Sequence, residues 1–252
     1  MIRSFKAEWV LLNQRTTWLI GLAVAIAFAG TATALILVNE GSRYGELGAG
    51  GMTATTVRAL SFGSVLMLAA FASLVGNEFT RGTYRAALLH QPRRLSLVAG
   101  KLLARMTVAI VLLAVALSSG ALTATLMAPS QDVSTTDWFG LAGLEATATD
   151  FLRLTVWGLG WALIATTVAV LVRSTPIALG IVILWFGPVE NVIGDDLEFG
   201  QRWFPGLLLE SIVNPAAPNA VATPTAAWTW AIYAAVLITT LATVLKRRDV
   251  SS

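Results

Sequence analysis

The chain contains no cysteine and a single histidine, His90, and only 12% of its 252 residues are charged. The missing thiols exclude disulfides, thiolate metal sites and a cysteine nucleophile, and one histidine cannot build a multi-histidine metal centre. No G-x-x-x-x-G-K-[ST] segment is present to cradle nucleotide phosphates, and no H-E-x-x-H pair is present for a metalloprotease. Ser118-Ser119-Gly120 lies within an apolar run, far from the only histidine base. That triplet therefore reads as small residues that let helices approach, not as a nucleophile. No catalytic residue, bound cofactor or metal site is expected in this chain, and no nucleic-acid partner.

Apolar residues are abundant instead, at 56%, with a mean hydropathy of +0.73. Soluble domains carry charge on roughly a quarter of their residues, so this composition indicates an integral membrane protein. Runs of about 20 apolar residues mark spans, and they fall near 18–38, 58–76, 102–127, 151–172, 175–191 and 226–245. The expected fold is all-α, with six transmembrane helices in one domain over residues 1–252 and both termini on the same side. Before the first span, residues 2–15 place Ile2, Phe5, Trp9 and Leu12 on one helical face and Arg3, Lys6, Asn13 and Gln14 on others. This is the pattern of an amphipathic helix in the headgroup region. The run from Trp18 to Val38 is too long for the h-region of a signal peptide, which spans about 7–15 residues.

The fifth span is short and bracketed by Pro176 and Pro188. After it, Trp203, Phe204, Leu207, Leu208, Leu209, Ile212 and Val213 are interrupted by Pro205, Gly206 and Pro215, which predicts short re-entrant helices. Irregular backbone at membrane depth must be covered by protein. Trp203, Phe204 and Pro205 are candidates for an external gate, and an outer cap anchoring the last two spans is the plainer reading.

Basic residues set the orientation. Thirteen basic and three acidic residues fall on one side of the six spans, and four basic and eleven acidic on the other. The first side is cytoplasmic, and its charge of +10 against −7 outside accounts for the net +3. The span interiors hold essentially no ionisable residue. Glu190, at the outer end of the fifth span, is placed in a vestibule or at the interface. An ion-coupled transporter usually needs carboxylates or histidines at mid-membrane, so this class is disfavoured.

The sizeable cytoplasmic feature is residues 76–105, with Arg81, Arg85, His90, Arg93, Arg94, Lys101 and Arg105 against Glu78 alone. Glu78 and Arg81 are spaced i, i+3 for a weak pair. Tyr84, Ala87 and Leu88 form a short apolar stripe before Pro92. Such a helix either enters a groove on an acidic partner or lies on lipid phosphates, and the residues themselves leave both open.

The whole chain resembles the permease subunits of ABC exporters of the second type. Ala7-Glu8-Trp9 precedes the first span, and Glu78-x-x-x-Gly82-Thr83 is followed by Pro92-Arg93-Arg94 and Lys101. The extended segment before the last span also matches. The resemblance implies that Glu78, Gly82, Thr83, Tyr84 and Arg85 lie in or beside a coupling helix that docks on a separate nucleotide-binding ATPase. Arg81 and Leu88 belong to the same expected surface, and Phe5, Glu8 and Trp9 to the interfacial connecting helix. It further implies a second permease copy, identical or related. ATP and magnesium would be bound by the partner ATPase. The expected cargo is apolar or amphipathic, a drug, lipid or peptide, exported across the plasma membrane of a bacterium. An ion-coupled transporter, a non-transporting anchor and an intramembrane enzyme are the alternatives.

Overall fold

The computed structural model describes residues 2–45, 48–61, 63–84, 87, 94–194 and 196–247, and the described residues form helices joined by short connections, with no strand among them. Helix α1 is Ile2–Leu12 and α2 is Arg15–Gly45. After a single 3-10 turn at Gly48–Gly50 come α3, Gly51–Ser61, and α4, Ser64–Thr80. Helix α5 is Arg94–Met127 and α6 is Leu141–Val172. Helix α7, Thr175–Leu184, widens into a π-helical stretch over Trp185–Gly194 that contains Pro188. Two short helices follow, α8 at Glu198–Trp203 and α9 at Pro205–Val213, and α10 covers Thr223–Arg247.

Among the described residues, five helices are long and apolar enough to cross a membrane, and the Gly48–Leu60 and Ser64–Thr80 pair adds a sixth if counted as one broken span. Only 17% of the apolar window in α2 and in α10 is buried, against 67% in α6. Leu19, Val24, Ile26, Leu35 and Val38 of α2 are all at least half exposed. An apolar surface of this extent suits lipid and not water. The chain is a multi-pass membrane protein.

Three boundaries differ from those expected. The run at 58–76 is not one helix, because Gly63 donates its N–H to the Leu60 carbonyl at 2.8 Å and a Cβ on Gly63 would lie 2.9 Å from the same oxygen. That close approach ends α3 and requires glycine. Helix α5 starts at Arg94, two turns before residue 102, so Lys101 and Arg105 are helical and not in a loop. Proline restricts the residue before it and leaves the residues after it free to be helical. Helix α6 starts ten residues before 151 and takes in Glu145 and Asp150.

The described contacts gather into two compact units. In the unit of residues 13–63 and 108–157, Leu37, Ala124, Ala128, Val133 and Trp138 form an apolar cluster. Thr33, Thr53, Thr55 and Thr56 are buried, with Thr33 and Thr56 hydroxyls 3.4 Å apart. A Cβ on Gly120 would collide with Thr56 and Thr33, and Ser118 donates to Ala114 of its own helix at 2.8 Å. Close helix approach is thus what the Ser-Ser-Gly triplet provides.

In the unit of residues 1–12, 64–107 and 158–252, α4 and α7 meet closely. Thr175 bonds Asn77 at 3.2 Å and sits 3.4 Å from the Thr80 hydroxyl, over Gly76. A Cβ on Gly76 would lie 2.7 Å from the Thr175 hydroxyl and 2.9 Å from its Cα. Gly76→Ala is therefore expected to destabilise the purified protein by about 1–3 kcal/mol. Gly180→Ala, with nothing within 4 Å, should stay within about 0.5 kcal/mol. Unfolding of both variants in detergent measures the difference, and equal stabilities would refute the close contact.

Candidate functional site

Four charged side chains meet in the unit that contains α1, α4 and the start of α5. Helix α1 turns Ser4 and Glu8 inward, one turn apart, and leaves Ile2, Val10 and Leu11 at least 60% exposed. Of its apolar face, Ile2 is exposed and Phe5, Trp9 and Leu12 are half-buried. Phe5 and Trp9 stack on each other with ring centroids 5.9 Å apart. Lys101 and Arg105, at i and i+4, share one face of α5. Glu78 stands in the last turn of α4, an unfavourable place for an anion beside the helix's negative end. The cations on α5 offset that.

The Arg105 guanidinium donates through Nε to Glu8 Oε1 at 2.7 Å and through Nη2 to the same oxygen at 2.6 Å, and also bonds Glu78 Oε1. Lys101 Nζ lies 2.8 Å from Glu78 Oε2 and 3.5 Å from Glu8 Oε2. The side chains are 5% to 15% exposed, two are acids and two are bases, and the cluster is neutral. Burying charge is tolerable only with such pairing and hydrogen bonding, and removing one partner strands the others. A cavity of about 20 Å³ beneath the cluster, bordered by Tyr84, Thr166 and Val170, has room for one water.

The turn after α4 is built by the motif Glu78-x-x-x-Gly82-Thr83. Gly82 has φ of +70°, its N–H bonds the Phe79 carbonyl at 3.2 Å, and Arg81 N–H bonds Asn77 at 2.9 Å. This is a left-handed helix ending, and the Thr83 hydroxyl donates to the Glu78 carbonyl at 3.3 Å. Arg81 and Thr83 are exposed. The pair expected between Glu78 and Arg81 is superseded, since Glu78 is engaged by α5. Tyr84 is only 4% exposed, its ring 4.7 Å from Phe79, so its part of the apolar stripe faces this chain's own interior. Arg85 and Leu88 lie outside the described residues, as do His90, Pro92 and Arg93.

The ionisable interior is also richer than expected. Asp150 is buried on α6, accepting from Thr53 at 2.5 Å and from Arg153 at 3.3 Å. Glu190, placed at a vestibule by the sequence, is 1% exposed. It accepts from Trp185 Nε1 at 2.8 Å and from the backbone N–H groups of Gly206 and Leu207, which open α9. The i, i+5 spacing of Trp185 and Glu190 follows the π-helical turn. Trp203 is half exposed and its carbonyl accepts from Tyr233 at 2.7 Å. Phe204 packs between Trp185 and Phe199, and Pro205 begins α9. Among the described residues, no group of three or more His, Asp or Glu could hold a metal ion.

No protein-family model, curated protein or solved structure matches the chain.

Lys101→Met or Arg105→Met leaves two buried carboxylates sharing one cation and should cost about 3–5 kcal/mol. The double variant Glu78→Gln/Lys101→Met keeps the cluster neutral and should be clearly more stable than the sum of its single changes. Unfolding of the purified variants in detergent tests both, and strict additivity would count against a coupled quartet.

Proposed function

We propose that this chain is the membrane subunit of an ATP-driven exporter, worked from the cytoplasm by a separate nucleotide-binding ATPase and paired with a second permease. The observation that carries the reading is the neutral quartet Glu8, Glu78, Lys101 and Arg105. It joins the N-terminal helix to both helices flanking residues 81–93, the two places where the resemblance puts the ATPase. A push at either place is then delivered to α1, α4 and α5 together. Without a phosphate cradle of its own, the chain would take its free energy from that partner.

In this reading the α3–α4 pair is one broken span, giving six, with both ends of the chain on the cytoplasmic side of a bacterial plasma membrane. Helices α8 and α9 re-enter the outer leaflet, and Trp203, Phe204 and Pro205 serve the external gate. Ala227, Ala231, Ala235, Thr239 and Thr243, all exposed and four apart on α10, suit close approach of a second membrane helix. The contact surface for the ATPase shifts from Tyr84 to the exposed Arg81 and Thr83. Tyr84 supports that turn from within.

One observation favours an ion-coupled transporter, the burial of Asp150 and Glu190. Both carboxylates are taken up by donors of the chain itself, which fits structural work better than ion transfer. Cargo uptake into vesicles under an imposed ion gradient without ATP would establish that alternative.

Arg81→Glu should weaken association with the partner ATPase by about tenfold, in the range of a lost charge pair at an interface, while thermal stability is unchanged. Purified alone, the chain should hydrolyse no ATP. Binding unaffected by Arg81→Glu, or turnover in a preparation free of other ATPases, would overturn the assignment.

A further inference from the structure

Beside α9 lies a cleft of about 450 Å³ lined chiefly by aromatic rings: Trp185, Phe186, Phe199, Trp203, Phe204 and Tyr233. Its size falls within the range of small-molecule sites. Trp185, Phe199 and Trp203 are 43%, 65% and 52% exposed, so the ring faces are accessible and not packed away. The polar edges of the wall are already occupied within the chain. Tyr233 gives its hydroxyl to the Trp203 carbonyl at 2.7 Å, and Trp185 gives its indole N–H to Glu190 at 2.8 Å. The cleft therefore presents π faces and little hydrogen-bonding capacity.

Glu190 sits one side chain behind this wall, buried and close to Phe186 across Gly206. Its three partners, Trp185 Nε1 and the N–H groups of Gly206 and Leu207, are all donors, and the carboxylate accepts in every one of these bonds. No lysine or arginine pairs with it among the described residues; Arg202 pairs with exposed Glu198 at 2.7 Å. A hydrogen bond from the indole N–H to a carboxylate also pushes electron density onto the Trp185 ring. Ring faces attract cations through their quadrupole, more strongly when desolvated. A carboxylate behind an aromatic wall favours a cationic ligand over an anionic one, so ligands are selected by charge as well as by shape.

We propose that this cleft binds a lipophilic organic cation, a quaternary phosphonium or ammonium with apolar substituents. The assignment is independent of ATP-driven export and concerns binding to the chain alone. Tetraphenylphosphonium and tetraphenylborate, which share a shape and differ in sign, provide the test by equilibrium dialysis against the purified chain in neutral detergent. The phosphonium should bind saturably and about tenfold tighter than the borate, and Trp203→Ala and Phe199→Ala should each weaken it several-fold, about the worth of one cation–π contact. Glu190→Gln should bring the two ions within about twofold, since it removes the charge at nearly constant size, although its NH2 group replaces one acceptor oxygen. If that variant fails to fold, Trp185→Phe carries the test, keeping a ring and losing the N–H link, with a several-fold weaker phosphonium site expected. Equal binding of the two ions would reduce the cleft to an apolar groove and overturn the proposal. So would a lack of saturable phosphonium binding, or a phosphonium site indifferent to Trp203→Ala and Phe199→Ala.

Discussion

The two-nitrogen grip of Arg105 on Glu8 Oε1, extended to Glu78 and completed by Lys101, is the interaction on which the packing of the N-terminal helix depends. Residues almost a hundred positions apart meet in it. An N-terminal helix of eleven residues is marginal alone, and among its described side chains only Ser4 and Glu8 are fully buried. The charge pairing holds it, and the pairing survives burial because two acids meet two bases with hydrogen bonds in place. Helix α1, the end of α4 and the start of α5 thereby become one mechanical element, which is what a cytoplasmic motor would need to act upon.

The same economy of charge recurs elsewhere. Asp150 is buried against Thr53 and Arg153, and Glu190 is buried against an indole N–H and the opening of a helix. In each case a carboxylate joins segments that apolar packing alone would leave free to slide, because lipid competes equally well for apolar surface. Hydroxyls that face outward, such as Ser118, Thr239 and Thr243, bond the carbonyl one turn back in their own helix. Around Glu190 this leaves a buried carboxylate behind a wall of aromatic rings.

The membrane class and the run of helices were legible in composition and hydropathy, because a lipid-facing helix must be apolar along its length. Where boundaries slipped, the causes were local. Gly63 interrupts a run whose hydropathy is continuous, and the helix after Pro92 starts sooner than its apolar content indicates, since its first turns carry Lys101 and Arg105 toward protein. Glu8 is the single acid of α1, and the i, i+4 spacing of Lys101 and Arg105 was visible. Their meeting was not, because nothing in one sequence pairs residues so far apart. Glu78 was assigned to Arg81 by spacing, yet α5 offered two cations in a drier place. Tyr84 read as an outward docking residue because a short apolar stripe in a loop looks the same whether it meets a partner or its own fold. Gly82-Thr83, quoted as part of a motif, has a physical meaning as a left-handed helix ending.

The central claim is that the quartet makes α1, α4 and the start of α5 move as one. Hydrogen exchange of the purified chain beside Arg105→Met measures this directly, amide by amide. The account predicts that Ile2–Leu12 and the last turns of α4 lose protection together, by about tenfold or more, while α10 is unchanged. Loss confined to α5 around residue 105, with α1 protected as before, would contradict it.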